Sequence, residues 1–345
     1  MELTTFWFCL LGVLWVGYLV LEGFDFGVGM LLPVLGRNDT ERRVLINTIG
    51  PIWDGNEVWL IVAGAGTFAA FPEWYATLFS GFYLALLLIL VALIIRGVAF
   101  EYRGKIDDPV WRRRWDIAIV VGSVLPALLW GVAFANIVAG VPIDAHKQFT
   151  GTLLTLLNPY GLLGGLTTLS LFALHGALFL GLRTTGDLRE RAVALAARLS
   201  IPTTVIAGAF AVWTQLAHGK GWTWVAVVVA ALGLLGAGQA ARQAKELLGF
   251  ALTSIVIVAA VVLLFGSLFP NVMPSSTDPA FNLTVHNAAS THYTLVVMTW
   301  VAALMTPVVL LYQSWSYWVF WQRLGIGDIP AGGGMPAIPQ QAPAQ

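Results

Sequence analysis

Four carboxylates in this chain stand where carboxylates seldom survive. Glu22 and Asp25 lie three residues apart in the first apolar stretch, and Asp54 and Glu57 lie three apart at the head of the second. A charge at the centre of a bilayer costs roughly 2.5–3.5 kcal/mol on insertion scales. Acids kept near such segments face protein, water or a moving proton rather than lipid. A spacing of i,i+3 puts both members of a pair on one helix face. The two helices are consecutive in sequence and are expected to be neighbours. Four carboxyl groups converging in this way suit a proton entry route, because crowded acids in low dielectric can hold and release protons near neutral pH.

Plainer roles compete at the same positions. Pro51 can open a helix, which leaves Asp54 just beyond the first turn, where the helix dipole favours an anion. Glu22 and Asp25 can pair with Arg96 or Arg103. The glycines at 23, 27 and 29 suit close helix packing better than a ligand.

The elements that position these acids follow from composition. The chain has 345 residues, of which 58% are hydrophobic and 10% charged. A soluble domain carries about 25% charged residues, so this chain cannot cover itself with a polar surface. It reads as an all-α, polytopic membrane protein. Lys+Arg and Asp+Glu balance at 18 each, so no excess charge points to a nucleic-acid partner. The single Cys9 allows no disulfide and no cysteine-based metal site within the chain. The N-terminus has no basic region, and its apolar run is too long for a cleaved signal peptide, so it reads as a retained first span.

A helical span needs about 20 mostly apolar residues. That length predicts about nine spans, near 5–34, 52–74, 76–100, 115–140, 158–182, 199–218, 222–240, 247–269 and 293–322. The second and third are expected to form a tight hairpin at Pro72-Glu73-Trp74, and the sixth and seventh another at His218-Gly219-Lys220-Gly221. The layout reads as two four-helix bundles plus one peripheral helix. Residues 1–142 form the first bundle, with the acids, and 143–270 the second. An outside loop and the ninth helix occupy 271–329, and 330–345, rich in Pro, Ala, Gly and Gln, form a disordered cytoplasmic tail. A faint internal echo between Glu22–Gly27 and His175–Leu180 is consistent with duplication. Only Lys147 and Lys220 fall on one side of this layout, and every other Lys and Arg falls on the other. The positive-inside rule then puts the N-terminus outside and the C-terminus in the cytoplasm. Trp and Tyr near the span ends, among them Trp74, Trp222, Trp224, Trp315, Tyr317 and Trp318, read as interfacial anchors.

Of the five histidines only His175 lies well inside a span. A haem held by paired histidines needs a second deep ligand, so His175 reads as a hydrogen-bonded interhelical residue. This chain is expected to bind no haem or metal of its own.

The run Glu22-Gly23-Phe24-Asp25-Phe26-Gly27-Val28-Gly29-Met30, then Arg42-Arg43, then Asn47 to Leu60 with Trp53-Asp54-Gly55-Asn56-Glu57-Val58-Trp59, resembles subunit II of the cytochrome bd-type quinol oxidases. The likeness continues through Phe79–Tyr83, Arg96, Tyr102-Arg103, Gly131–Phe134, Met298–Val301 and Tyr317-Trp318. It implies a heterodimer with a subunit I of similar build, which carries two b-type haems, one d-type haem and the quinol site. The implied complex sits in the bacterial plasma membrane, oxidises quinol and reduces oxygen to water with protons taken from the cytoplasm. The resemblance assigns the residue at Asp54 to a proton route toward the haems. It leaves Asp25, Glu22 and Glu57 as further candidates, although the family also allows Gln at position 57. Trp53, Asn56, Trp59, Arg96 and Arg103 become structural or partner-supporting residues. Membrane lipid, a structural quinone and a small accessory subunit are further partners that the resemblance allows.

A proton-coupled membrane transporter is the rival reading, since membrane acids beside an internal repeat also describe that class. Transporters place binding residues near the midplane, whereas these acids cluster toward one side. A membrane scaffold is the third reading, and it leaves the paired acids unexplained.

Overall fold

A computed structural model of the chain describes residues 2–329 and 335–336. Its helices are α1 (Leu3–Leu35), α2 (Asp39–Ile49), α3 (Trp53–Ala70), α4 (Pro72–Gly81), α5 (Tyr83–Tyr102), α6 (Pro109–Ala139), α7 (Leu153–Leu156), α8 (Pro159–Arg183), α9 (Gly186–Ala217), α10 (Trp224–Arg242), α11 (Glu246–Leu268) and α12 (His292–Val319). Among the described residues, strand is confined to two-stranded ladders, Asn271–Met273 antiparallel to Leu283–Thr284 and Ile106–Asp107 parallel to Met335–Pro336. The tail expected at 330–345 lies outside the described residues apart from that last pair.

Among the described residues, eight helices are long and apolar enough to cross a membrane: α1, α5, α6, α8, α9, α10 (with the 3₁₀ turn before it), α11 and α12. The chain is therefore an all-helical, multi-pass membrane protein. The remaining expected span corresponds to α3, whose 18 residues begin with the polar run Trp53-Asp54-Gly55-Asn56-Glu57.

Local chemistry sets the helix starts. Asp108 caps α6 by accepting from the Val110 and Trp111 N–H groups, and Pro109 fills the first position, where no N–H is needed. Asn158 and Pro159 do the same for α8, with the Gly161 N–H donating to Asn158 Oδ1 at 2.8 Å. Asn38 caps α2 through the Glu41 N–H.

Helix α1 is central and packs against α3, α6, α8 and α11. It crosses α8 at Gly27 and Gly176, backbone against backbone. A Cβ on Gly27 would lie 2.1 Å from the Phe172 carbonyl and 2.6 Å from the Gly176 Cα. Only residues without a side chain allow this approach. α6 meets α8 in the same way at Gly131 and Gly164. In contrast, α3 buries only Asn56, Ala63, Thr67 and Ala70, and α12 buries only Leu295.

Several boundaries differ from expectation. The third span, expected at 76–100, begins later, at Tyr83 in α5, because Pro72 starts the separate short helix α4 immediately after Phe71 leaves helical geometry. α4 then runs almost directly into α5, with Phe82 between them. Trp74, expected as an interfacial anchor, is buried against Phe71. α9 starts at Gly186, well before 199. Its first turns carry Asp187, Arg189 and Arg191, and these stay helical because their ion pairs hold them at the chain's polar end. α9 and α10 are joined at His218–Gly221 as expected.

Candidate functional site: a buried arginine among carboxylates

The stretch Glu22–Gly29 of α1 is buried on every side. Glu22 and Asp25 therefore both lie inside the protein with no exposure. Arg96, one turn and a half from the end of α5, is equally buried. Its Nη2 donates to Glu22 Oε1 and also to Glu57 Oε1 at 2.8 Å. The guanidinium carbon sits 4.6 Å from the centroid of the Phe26 ring and 5.7 Å from that of Phe100. Aromatic faces on a cation partly replace the water it has lost. Removing one member of such a buried set is far more costly than the set itself is stabilising.

Asn56 joins Asp25 to the rest. Its Nδ2 donates to Asp25 Oδ2 at 2.7 Å, and its Oδ1 accepts from the Tyr317 hydroxyl at 2.8 Å and from Gln313 Nε2 at 3.3 Å. Trp59 Nε1 donates to Gln313 Oε1 at 2.8 Å. Helices α1, α3, α5 and α12 thus meet in one polar cluster. Two carboxylate atoms, Glu22 Oε2 and Asp25 Oδ1, accept no hydrogen bond from any described residue. Three carboxylates face a single guanidinium, so the arginine alone cannot balance them all as anions.

Asp54 is not in this cluster. It lies on the exposed side of α3, where its Oδ1 accepts only from the adjacent Gly55 N–H. Glu57 occupies the flank between, with a side chain 23% exposed. Trp53 packs on Phe100, and Trp59 lies over Gly17, where a Cβ would collide with its ring.

Arg103 belongs to a second network at the end of the helices. It donates to Asp116 Oδ1 at 2.5 Å and to Asp39 Oδ1 at 2.9 Å. Arg42 shares Asp116, and Arg112 shares Asp39. Beside it, Glu41 accepts from the Arg37 N–H and pairs with Arg191 at 2.9 Å. Burial works against the Glu41 anion, but these contacts outweigh it and hold its carboxyl below the usual range. Of the two arginines offered to Glu22 and Asp25, Arg96 pairs with Glu22, Arg103 with neither, and Asp25 is bonded by Asn56 instead.

Sequence reasoning missed Gln313 and read Tyr317 only as an interfacial anchor. Both face Asn56 from α12, and their spacing of four residues on one helix face was the available signal. His175 is the interhelical residue expected. Its Nδ1 meets Thr253 Oγ1 at 2.7 Å and its Nε2 meets the Val20 carbonyl at 3.1 Å. Both ring nitrogens thereby have hydrogen-bond partners. Among the described residues no group of three or more His, Cys, Asp or Glu is placed to hold a metal ion.

A family profile described as cytochrome bd terminal oxidase subunit II matches residues 3–320. The chain belongs to that family. Membership in the bd oxidase subunit II family makes it a subunit of an oxidoreductase complex, with haem in that complex and a subunit I as partner. The chain is 43% identical over 323 residues to cytochrome bd ubiquinol oxidase subunit 2 of Bacillus subtilis, covering 92% of this chain and 96% of that one. It is 39% identical over 361 residues to cytochrome bd-I ubiquinol oxidase subunit 2 of Escherichia coli K12, covering 94% and 95%. Its fold is similar to a chain of the bd oxidase from Geobacillus thermodenitrificans, with a TM-score of 0.74 at 17% identity over 93% of this chain and 99% of that one.

Proposed function

We propose that this bd oxidase subunit supplies a proton path from the cytoplasmic side, in a complex that oxidises quinol and reduces oxygen to water. The observation that carries the reading is the shared Arg96 Nη2, which links the part-exposed Glu57 to the buried Glu22. Asp54 stands at the mouth as a collector. Glu57 takes the proton next, and Glu22 and Asp25 hold it inside. Arg96 keeps Glu22 and Glu57 close, and one cation among three acids leaves room for a proton. Asn56 orients Asp25 and ties it to α12. A positioned acid of this kind transfers protons only within hydrogen-bond reach or through one water.

The orientation follows the charge. Arg37, Arg42, Arg103, Arg112, Arg189 and Arg191 gather at one end in ion pairs, and Lys147 and Lys220 lie in the loops at the other. We place the arginine end in the cytoplasm, with the N-terminus outside and the C-terminus inside. The acid cluster lies toward that end.

The flank formed by α3, α5 and α12 is apolar and exposed, with Val58, Ile61, Leu84, Trp300, Leu304 and Leu311 among its residues. In this reading it supports subunit I, which carries the haems and the quinol site. Asp54 opens on the same flank, so the path begins beside the partner. The two four-helix halves then serve as one buttress joined at Gly27 and Gly176. The test is oxygen uptake by the quinol-fed complex carrying Asp54→Asn, with the haem spectrum recorded on the same sample. Slower uptake with intact haem supports the path. Unchanged uptake makes Asp54 a helix-start residue only, and loss of haem makes it an assembly residue.

A further inference from the structure

A groove of about 530 Å³ opens between α9 and α10, at the arginine end and away from the acid cluster. Its charged lining is Arg189, Arg198 and Arg242 with Glu190, and its floor is Val193, Ala197 and Ala241. Arg189 is partly engaged, since its Nη2 lies 2.5 Å from Glu246 Oε1, but its Nε is buried and has no hydrogen-bond partner. Arg198 and Arg242 are exposed and make no ion pair with any described residue. Several other arginines at that end, Arg37, Arg42, Arg103, Arg112 and Arg191, are engaged with acids.

The surface beyond the groove is apolar. Ile201 and Val205 follow Arg198 on α9 and are 60% and 67% exposed. Leu235 and Leu232 precede Arg242 on α10 and are 62% and 65% exposed. Cations at the head and bare aliphatic side chains below match a molecule with an anionic head and acyl chains. A free anion would use the arginines and leave the aliphatic strip without a role.

We propose that this groove binds an anionic phospholipid of the surrounding leaflet, with its phosphate between Arg198 and Arg242 and its chains along Ile201, Val205, Leu232 and Leu235. Guanidinium forks bind phosphate oxygens in pairs, and basic pockets between spanning helices suit anionic headgroups. The small side chains at Ala197 and Ala241 let the headgroup approach the helix backbones. The site is independent of the proton path.

The test is native mass spectrometry of the detergent-purified two-subunit complex with phosphatidylglycerol or phosphatidylcholine of matched chains. Phosphatidylglycerol should be retained in preference. Arg198→Gln with Arg242→Gln should weaken its binding roughly 30-fold, while Arg198→Lys with Arg242→Lys should keep most of it. Millimolar inorganic phosphate should not displace the lipid. Equal retention of the two lipids, or binding unchanged in the glutamine variant, would overturn the proposal. Displacement by phosphate would overturn it too, and would make the groove a site for free anions. The haem spectrum of each variant verifies that the complex is intact.

Discussion

Asn56 donates to Asp25 at 2.7 Å, and that bond ties α3 to α1 at the level of the acid cluster. Both residues are wholly buried. Asn56→Leu would leave the Asp25 carboxylate without its donor, at a cost of about 1–3 kcal/mol. Tyr317→Phe removes one of two donors to Asn56 Oδ1 and should cost about 0.5–1.5 kcal/mol. Thermal denaturation of the purified complex should rank the two in that order.

Asp54→Asn and Glu57→Gln address the path itself. Each should slow oxygen uptake while haem content stays intact. Losing a positioned proton-transfer group costs on the order of 10²-fold. Glu57→Gln keeps a carbonyl oxygen for Arg96, so a slow but folded enzyme separates proton transfer from packing.

Arg96→Leu should be the most damaging single change in the cluster. Removing one partner of a buried ion pair costs about 3–5 kcal/mol, because the remaining charges are left uncompensated. Adding Glu22→Gln to Arg96→Leu should restore part of the loss. Yield of intact complex and its melting temperature measure both.

Gly27→Ala forces a methyl group into the Phe172 carbonyl and the Gly176 backbone. Overpacking of this kind costs about 1–3 kcal/mol, and the melting temperature should fall. Gly55→Ala is the counterpart, since a Cβ there meets nothing within 4 Å. It should not lower the subunit's own stability, and as the better helix former Ala should add up to about 1 kcal/mol.

Glu41 links stability to pH. Its carboxyl is held below the ordinary carboxylate range by the Arg37 N–H and by Arg191, against the effect of burial. A depressed native pKa gives stability that is present above the unfolded value of 4.5 and lost as pH falls through the native one. Acid denaturation curves should show this loss in the parent, and Glu41→Gln should flatten it.

Much of the fold was legible because a bilayer sets span length and excludes charge. The two acid pairs and Arg96 stood out for the same reason. The directions of side chains were harder to read. A step of three residues turns a helix about 60° short of a full circle. The buried face of α3 is set by Asn56, Ala63, Thr67 and Ala70, so Glu57 falls on its flank and Asp54 on the far side. On α1 the same spacing buries both acids, because that stretch has neighbours all round. Arg96 and Arg103 are seven residues apart, about 10 Å along the helix, and only the first reaches the level of Glu22. Gln313 and Tyr317 were hidden in an aromatic-rich segment whose composition spoke for a membrane interface.

Helix α12 has little to hold it by packing, with Leu295 as its one buried residue. Its fastenings are polar: Trp7 to the Leu295 carbonyl and Thr299, Trp59 to Gln313, Asn56 to Tyr317, and Arg183 to the Phe320 carbonyl. A helix buttoned on at a few points behaves as a clasp rather than a wall. When it shifts, the Asn56 bond network shifts with it, and Asp25 is the far end of that network. Whatever presses on the outer side of α12 therefore has a mechanical handle on a fully buried acid of α1.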